Sequence, residues 1–109
     1  MCITYEYMTI SSHVSRGNNT EGAVSVLKIL SNKNRYVIMK TLFSTKRDLC
    51  VHELSETTGI SQSATSHQLA YLEACGVVES VRMGKTKCYL PTSDPIAKKV
   101  ANIINALNK

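Results

Sequence analysis

The feature that most constrains this fold is a pair of helical runs separated by a glycine turn. Val51–Thr58 (VHELSETT) predicts a short helix with Leu54 as its main core residue. Gly59 follows, where a helix commonly ends in a left-handed residue. Ser61 then stands just before a second helical run, a position at which a hydroxyl group satisfies free backbone N–H groups. The spacing therefore fixes where the first helix ends and the second begins.

The second helical run extends from Gln62 to Ala74 and combines an apolar face with a polar start. Ala64, Leu69 and Leu72 are expected to face one way, toward the core. A short helix, a tight glycine turn and a second helix with a polar first half form the pattern of a helix-turn-helix. The first two turns carry Gln62, Ser63, Thr65, Ser66, His67 and Gln68.

The residues after this unit predict a two-stranded β-hairpin. Val77, Val78 and Val81 are β-branched and favour a strand, and Met83-Gly84-Lys85 is typical of a turn. Thr86–Leu90 (TKCYL) is the expected return strand, which Pro91 ends. A hairpin directly behind a helix-turn-helix is called a wing.

Further helices are expected on either side of the wing and the helix-turn-helix. One spans about 21–31, capped by Thr20 and bearing Val24, Leu27, Ile29 and Leu30, and another spans about 33–44. The chain closes with a helix over 94–107. The fold class is thus mainly α with a small β-hairpin, a winged helix-turn-helix over 20–109, preceded by an arm or short helix at 1–19. At 109 residues the chain has room for one compact domain.

Charge and side-chain chemistry point to double-stranded DNA as the partner. The net charge of +5 favours a polyanion only weakly, but three basic side chains cluster around the predicted hairpin tip. A helix fits the major groove with its N-terminal residues nearest the bases, and amides and hydroxyls are the groups that bond base edges and phosphates. The alternative is that these residues only form a solvated face. The candidate DNA contacts are Ser61, Gln62, Ser63, Thr65, Ser66, His67, Gln68, Arg82, Lys85 and Lys87.

Other classes of protein find little support. The first ten residues have no basic start and no sustained apolar stretch, and no run approaches the ~18 apolar residues of a membrane span, so we expect a cytoplasmic protein with no membrane partner. No nucleophile with a partnered base, phosphate-binding glycine loop or acid pair suggests an enzyme. The four cysteines show no CxxC pair and are expected to be thiols, with Cys75 and Cys88 small and buried.

The stretch from Asp48 to Leu90 closely resembles the ArsR/SmtB family of winged-helix repressors. The matching pieces are L-C-V-x-E-L, G-I-S-Q-S-A-x-S-H-Q-L, L-E-x-x-G-V-V and G-K-x-x-x-Y-L, and Asn32–Leu42 looks like the family's preceding helix. The resemblance implies a homodimer built from N- and C-terminal helices, the latter over 95–108. It also implies two DNA-reading helices in successive major grooves, and repression that a metal ion or a redox signal relieves.

The sensor that the resemblance implies is incomplete in this sequence. The family's thiolate site uses C-V-C, and here the residues are Cys50-Val51-His52. Cysteine and histidine both bind zinc, and thiolates suit softer metals, so Zn, Cd or As(III) are the candidate inducers, with Cys2 and His13 as further ligands. Alternatively, Cys50 is an N-cap-like residue with Glu53 three residues on, and His52 is exposed.

Two alternative functions remain open from the sequence. The first is a winged-helix module that binds protein or RNA, because a fold does not fix a function. The second is a constitutive DNA binder with no sensing site.

Overall fold

The computed structural model describes residues 20–45 and 47–108, and the predicted arm at 1–19 lies outside them. Over the described residues the chain forms five α-helices and three short β-strands. In order these are α1 Thr20–Leu30, α2 Lys33–Ser44, β1 Leu49–Cys50, α3 Val51–Thr58, α4 Gln62–Ala74, β2 Val78–Met83, β3 Thr86–Pro91 and α5 Pro95–Leu107. The predicted winged helix-turn-helix is confirmed.

Local signals set the boundaries of the central helices as predicted. The Asn32 side chain accepts a hydrogen bond from the backbone N–H of Arg35 at 3.0 Å and caps α2. Gly59 ends α3 in the left-handed region with φ 78°. Ser61 caps α4, with its hydroxyl accepting from the Ala64 N–H at 3.2 Å. Each of these caps satisfies backbone groups that a helix end leaves without intrahelical partners.

The sheet has one strand more than the predicted two-stranded wing. β2 and β3 form the expected antiparallel hairpin, which turns at Gly84 with φ 70°. The additional strand β1 lies on the other side of β3, pairing Leu49 with Tyr89 and Cys50 with Cys88. Because β1 has only two residues, it shows no alternation by which a strand is recognised in a sequence. β3 is therefore the central strand and joins the wing to the start of α3.

The core lies where α2, α3, α4 and α5 meet the base of the wing. Each of its large aliphatic side chains contributes about 1.5–3 kcal/mol by burial. Its fully buried members include Ile38, Leu42, Leu54, Leu69, Leu72, Val77 and Val100.

The packing of α1 differs from the expectation. Val26 and Ile29 face the core, whereas Val24 is 41% exposed and Leu27 59% exposed. The sequence places both on or near one face with Ile29 and Leu30, and their exposure leaves an apolar surface of α1 uncovered within one chain. No helix in the described part of the chain is long and apolar enough to cross a membrane.

Candidate nucleic-acid interface

The first two turns of α4 present most of the predicted polar side chains to solvent. Ser61, Gln62, Ser63, Ser66 and His67 are all exposed. The later part of the helix is anchored in the core. This end of α4 thus offers hydroxyl, amide and imidazole groups beside a positively polarised helix N-terminus, which favours contact with anions.

Thr65 does not fit the predicted set of DNA contacts. It is fully buried, and its hydroxyl lies 3.5 Å from the Ile60 carbonyl oxygen that it faces across the turn. Thr65, Leu69 and Leu72 are spaced i, i+4 and i+7, which is the spacing of one helix face. That spacing was visible in the sequence and places Thr65 with the two buried leucines. Its role is to pack the turn and not to contact a ligand.

Gln68 also differs from the prediction, because its side chain is held within the protein. Its Oε1 accepts a hydrogen bond from Arg35 Nη1 at 3.1 Å. The Arg35 guanidinium also lies 4.2 Å from the centre of the Tyr71 ring. Gln68 is half-buried and anchors the side of α4, unlike the exposed residues of the first turns.

Arg35 is a positioning residue that the sequence analysis missed. Besides its contacts to α4, it donates through Nε to the Ile29 carbonyl at 3.0 Å and through Nη2 to the Lys28 carbonyl at 3.1 Å. A guanidinium at a helix C-terminus satisfies carbonyl groups that lack intrahelical donors. One side chain therefore joins α1, α2 and α4. In the sequence it is only one basic residue in the first turn of a helix, with no signal of these long-range contacts.

A second contact joins α4 to the helix before it. Gln62 Nε2 lies 3.0 Å from His52 Nδ1, and His52 Nε2 lies 3.4 Å from a carboxylate oxygen of Glu56. His52 is exposed, as one of the two sequence interpretations required. Its ring stands between an amide at the start of α4 and a carboxylate on its own helix, and so it orients Gln62.

The wing carries exposed basic side chains. Arg82, Lys85 and Lys87 are all exposed, with Arg82 and Lys87 opposite each other in the β2–β3 register. Lys87 Nζ lies 5.7 Å from the centre of the Tyr89 ring. At the root of the wing, Ser80 donates to a Glu73 carboxylate oxygen at 2.9 Å and ties β2 to α4. The root of the wing is thus held to the helix that precedes it.

Cys50 occupies the N-cap of α3, as the second sequence interpretation proposed. Its backbone N–H donates to Glu53 Oε1 at 3.0 Å, and Arg47 donates to the other carboxylate oxygen at 3.2 Å. These contacts, first the Cys50 N–H and then the Arg47 guanidinium, lower the pKa of Glu53.

The expectation that all cysteines are thiols is wrong for one pair. Cys50 and Cys88 form a disulfide in this structure. They are directly opposed in the β1–β3 register, and directly opposed side chains of an antiparallel pair lie on the same face with adjacent Cβ atoms. The pairing was hidden because β1 was not predicted. Cys88 is buried, as predicted, whereas Cys75, for which burial was also predicted, is half-buried.

The described residues do not assemble the predicted metal site. Cys50 offers no thiolate while it is bonded to Cys88, and His52 contacts Gln62 and Glu56. Among residues 20–45 and 47–108 there is no group of three or more His, Cys, Asp or Glu side chains that could hold a metal ion. The further candidates Cys2 and His13 lie outside the described residues, so metal binding stays a prediction.

The fold and the surface of the chain together place it in the class of winged helix-turn-helix proteins. The model for the family described as "Bacterial regulatory protein, arsR family" matches residues 32–80. The Vibrio cholerae transcriptional activator HlyU is 35% identical over 78 residues, covering 72% of this chain and 70% of HlyU. The chain belongs to the arsR family of regulatory proteins.

Solved structures agree with this assignment. The structure of HlyU from Vibrio cholerae matches with a TM-score of 0.71 at 30% identity, covering 84% of this chain and 97% of that one. The transcriptional repressor BigR from Xylella fastidiosa matches with a TM-score of 0.70 at 31% identity, covering 84% and 91%.

A further relative shares only part of its length with this chain. The putative arsenical resistance operon repressor ArsR of Halobacterium salinarum is 38% identical over 76 residues, which are 70% of this chain and 59% of that protein. The chain thus spans less than two thirds of this relative.

Proposed function

We propose that this protein is a sequence-specific DNA-binding transcriptional repressor in which α4 is the reading helix. The observation that carries the proposal is the exposed polar cluster at the start of α4, formed by Ser61, Gln62, Ser63, Ser66 and His67. The helix that bears it is firmly anchored by buried leucines and by Arg35. A rigid helix with short hydrogen-bonding side chains on its first turns suits major-groove contacts.

The wing supplies the second half of the proposed interface. Arg82, Lys85 and Lys87 would contact phosphates of the flanking backbone or enter the minor groove. Such contacts position a protein on DNA without specifying the sequence. Repression, and not activation, is the direction supported by the names of BigR and of the haloarchaeal relative, whereas HlyU of Vibrio cholerae is named an activator.

We further infer that the repressor is a homodimer that pairs through α1 and α5. Val24 and Leu27 on α1 and Leu107 on α5 are exposed apolar side chains. A groove of about 420 Å³ lies between the two helices, lined by Val26, Leu27 and Ile103 among others. A two-fold dimer buries such a patch twice, because each copy presents the same surface. It would also present two reading helices to two half-sites.

A salt titration of duplex binding tests the DNA proposal. A random-sequence duplex pool, and a duplex selected from it by repeated binding, serve as probes. We expect the logarithm of the association constant to fall linearly with the logarithm of salt concentration, by about 0.9 for each phosphate neutralised. Lys85→Gln and Lys87→Gln should each lower that slope by about 0.9 with both probes.

Lys40→Gln is the matched control, because Lys40 is an exposed lysine on α2, outside the proposed interface. It should leave the slope unchanged. A protein that does not bind the random-sequence pool at low salt, and from which no duplex can be selected, would refute DNA binding. In that case a winged-helix module that binds protein or RNA becomes the better description. Binding of single-stranded RNA, measured with the same salt titration, would distinguish an RNA-binding module from a protein-binding one.

A further inference from the structure

We propose that Cys50 and Cys88 form a reversible thiol–disulfide pair that locks the wing to the reading-helix unit, so that oxidation strengthens DNA binding. The consequence for DNA rests on the function proposed above, whereas the pair itself does not. In the family motif, the position of Cys50 is that of a metal ligand. Its partner in this fold is instead a cysteine of the wing.

The strand register brings the two sulfur atoms together. Cys50 and Cys88 are opposed between β1 and β3, and on the other side of β3 Cys88 is opposed to Val81 of β2. The disulfide therefore links the central strand of the wing to the strand that leads directly into α3. The loop it closes has a sequence separation of 38 and contains both helices of the helix-turn-helix.

The two cysteine residues differ in exposure. Cys88 is 2% exposed, while Cys50 is half-buried at the N-cap of α3. Exchange with a small molecule depends on which sulfur can be reached. Cys50 is therefore the sulfur that a small thiol or disulfide reaches first, and Cys88 is the partner that resolves the mixed disulfide.

The proposed oxidant is a low-molecular-weight disulfide. The Cys50 thiolate attacks one of its sulfur atoms and releases one small thiol, forming a mixed disulfide. The Cys88 thiolate then attacks the Cys50 sulfur and displaces the second small thiol. In sum, two protein thiols lose two electrons and two protons, and one small disulfide becomes two small thiols.

The consequence for DNA follows from what holds the wing. β1 pairs with β3 over two residue pairs only, so the disulfide is a large part of the link between the wing and α3. α3 in turn contacts the start of the reading helix through His52 and Gln62. Fixing the wing in the bound arrangement lowers the entropy cost of placing its basic side chains on DNA. Reduction should loosen the wing and remove part of its phosphate contacts.

The experiment uses the full chain carrying Cys2→Ser, oxidised with glutathione disulfide or reduced with dithiothreitol. Non-reducing peptide mapping identifies the disulfide without reference to DNA. Affinity and salt slope are then measured with the random-sequence pool and the selected duplex. We expect a Cys50–Cys88 peptide in the oxidised sample, binding about 5- to 150-fold tighter than in the reduced sample, the usual range of coupling between two sites. The salt slope should be shallower when reduced.

Two variants decide between outcomes. Cys88→Ser should abolish the redox difference in affinity, and Cys75→Ser, which removes a half-buried thiol outside the pair, should retain it. Because the Cys2→Ser chain with Cys50 and Cys88 intact is also compared in its oxidised and reduced states, a poorly folded variant does not remove the test. Absence of the Cys50–Cys88 peptide, or equal or weaker binding after oxidation, overturns this inference and leaves the repressor proposal standing. No binding in either state, with the disulfide mapped, overturns the repressor proposal and with it the DNA consequence.

Discussion

Gln62 at the start of the reading helix is oriented by His52 on the helix before it, with 3.0 Å between Nε2 and Nδ1. Gln62 can form a bidentate pair with adenine only if its amide points into the groove. The contact to His52 limits the orientations that the amide samples before DNA arrives. Pre-organisation of this kind raises affinity by reducing the ordering cost of binding.

The first prediction separates the contact itself from its orientation. Gln62→Ala should weaken binding to the selected duplex by about 1–3 kcal/mol, the cost of one lost base contact. His52→Ala should weaken it by about 1 kcal/mol or less, the size of one hydrogen bond. Glu56→Gln is the matched control, since Glu56 contacts the other ring nitrogen of His52 and not Gln62. Fluorescence anisotropy measures the affinity of all three variants. A loss of affinity larger for His52→Ala than for Gln62→Ala would contradict the assignment of Gln62 as the base contact and His52 as the residue that orients it.

The second prediction contrasts neighbouring residues on opposite faces of the reading helix. Ser66→Ala with His67→Ala should weaken specific binding by about 1–3 kcal/mol for each lost base contact and leave the free energy of unfolding unchanged. Thr65→Ala should do the reverse, because Thr65 is fully buried. Truncating a buried side chain lowers the free energy of unfolding by about 0.5–3 kcal/mol. Urea unfolding and anisotropy on the same samples test both halves, and an unchanged affinity for the double variant would mean that the reading helix is misassigned.

The third prediction concerns the apolar face of α1. Leu27 is 59% exposed in the single chain and is expected at the centre of the dimer contact. Leu27→Glu places a charge there in each protomer, so the dimer dissociation constant should rise at least about tenfold, equivalent to about 1.4 kcal/mol. Sedimentation equilibrium measures it. Met83→Glu on the wing, where the side chain is 56% exposed, is the control and should leave the oligomeric state unchanged. A monomer in both wild type and variant would refute the dimer.

The helix-turn-helix could be predicted from sequence almost to the residue, because its boundaries depend on local chemistry. Gly59 and Ser61 act through backbone conformation and a cap three residues away, and such signals need no knowledge of the rest of the fold. The hairpin was equally local, since its two strands are joined by a turn at Gly84.

What escaped prediction depends on contacts between residues far apart in the chain. The Cys50–Cys88 pair has a sequence separation of 38, and Arg35 reaches Gln68 across a separation of 33. Neither contact has a local pattern, because each exists only after β1 meets β3 or α2 meets α4. Thr65 is different, since its spacing from Leu69 and Leu72 already marked the buried face. The polar character of its side chain masked that signal.

The fourth prediction is a pH dependence at the N-cap of α3. The Cys50 N–H, followed by Arg47, lowers the pKa of Glu53 below its ordinary value of 4.5, so the ionised carboxylate is favoured in the folded state. A group with a lowered folded pKa contributes stability above its unfolded pKa and loses it as the pH falls through the folded pKa.

In Glu53→Gln the amide oxygen can still accept from the Cys50 N–H but has no charge to lose. The thermal midpoint of wild type should therefore exceed that of Glu53→Gln near neutral pH, and the gap should narrow as the pH falls through and below the ordinary carboxyl range. Glu79→Gln, at an exposed position of β2, controls for the removal of one surface carboxylate. A gap between wild type and Glu53→Gln that stays constant across this range would show that the carboxylate charge does not stabilise the start of α3.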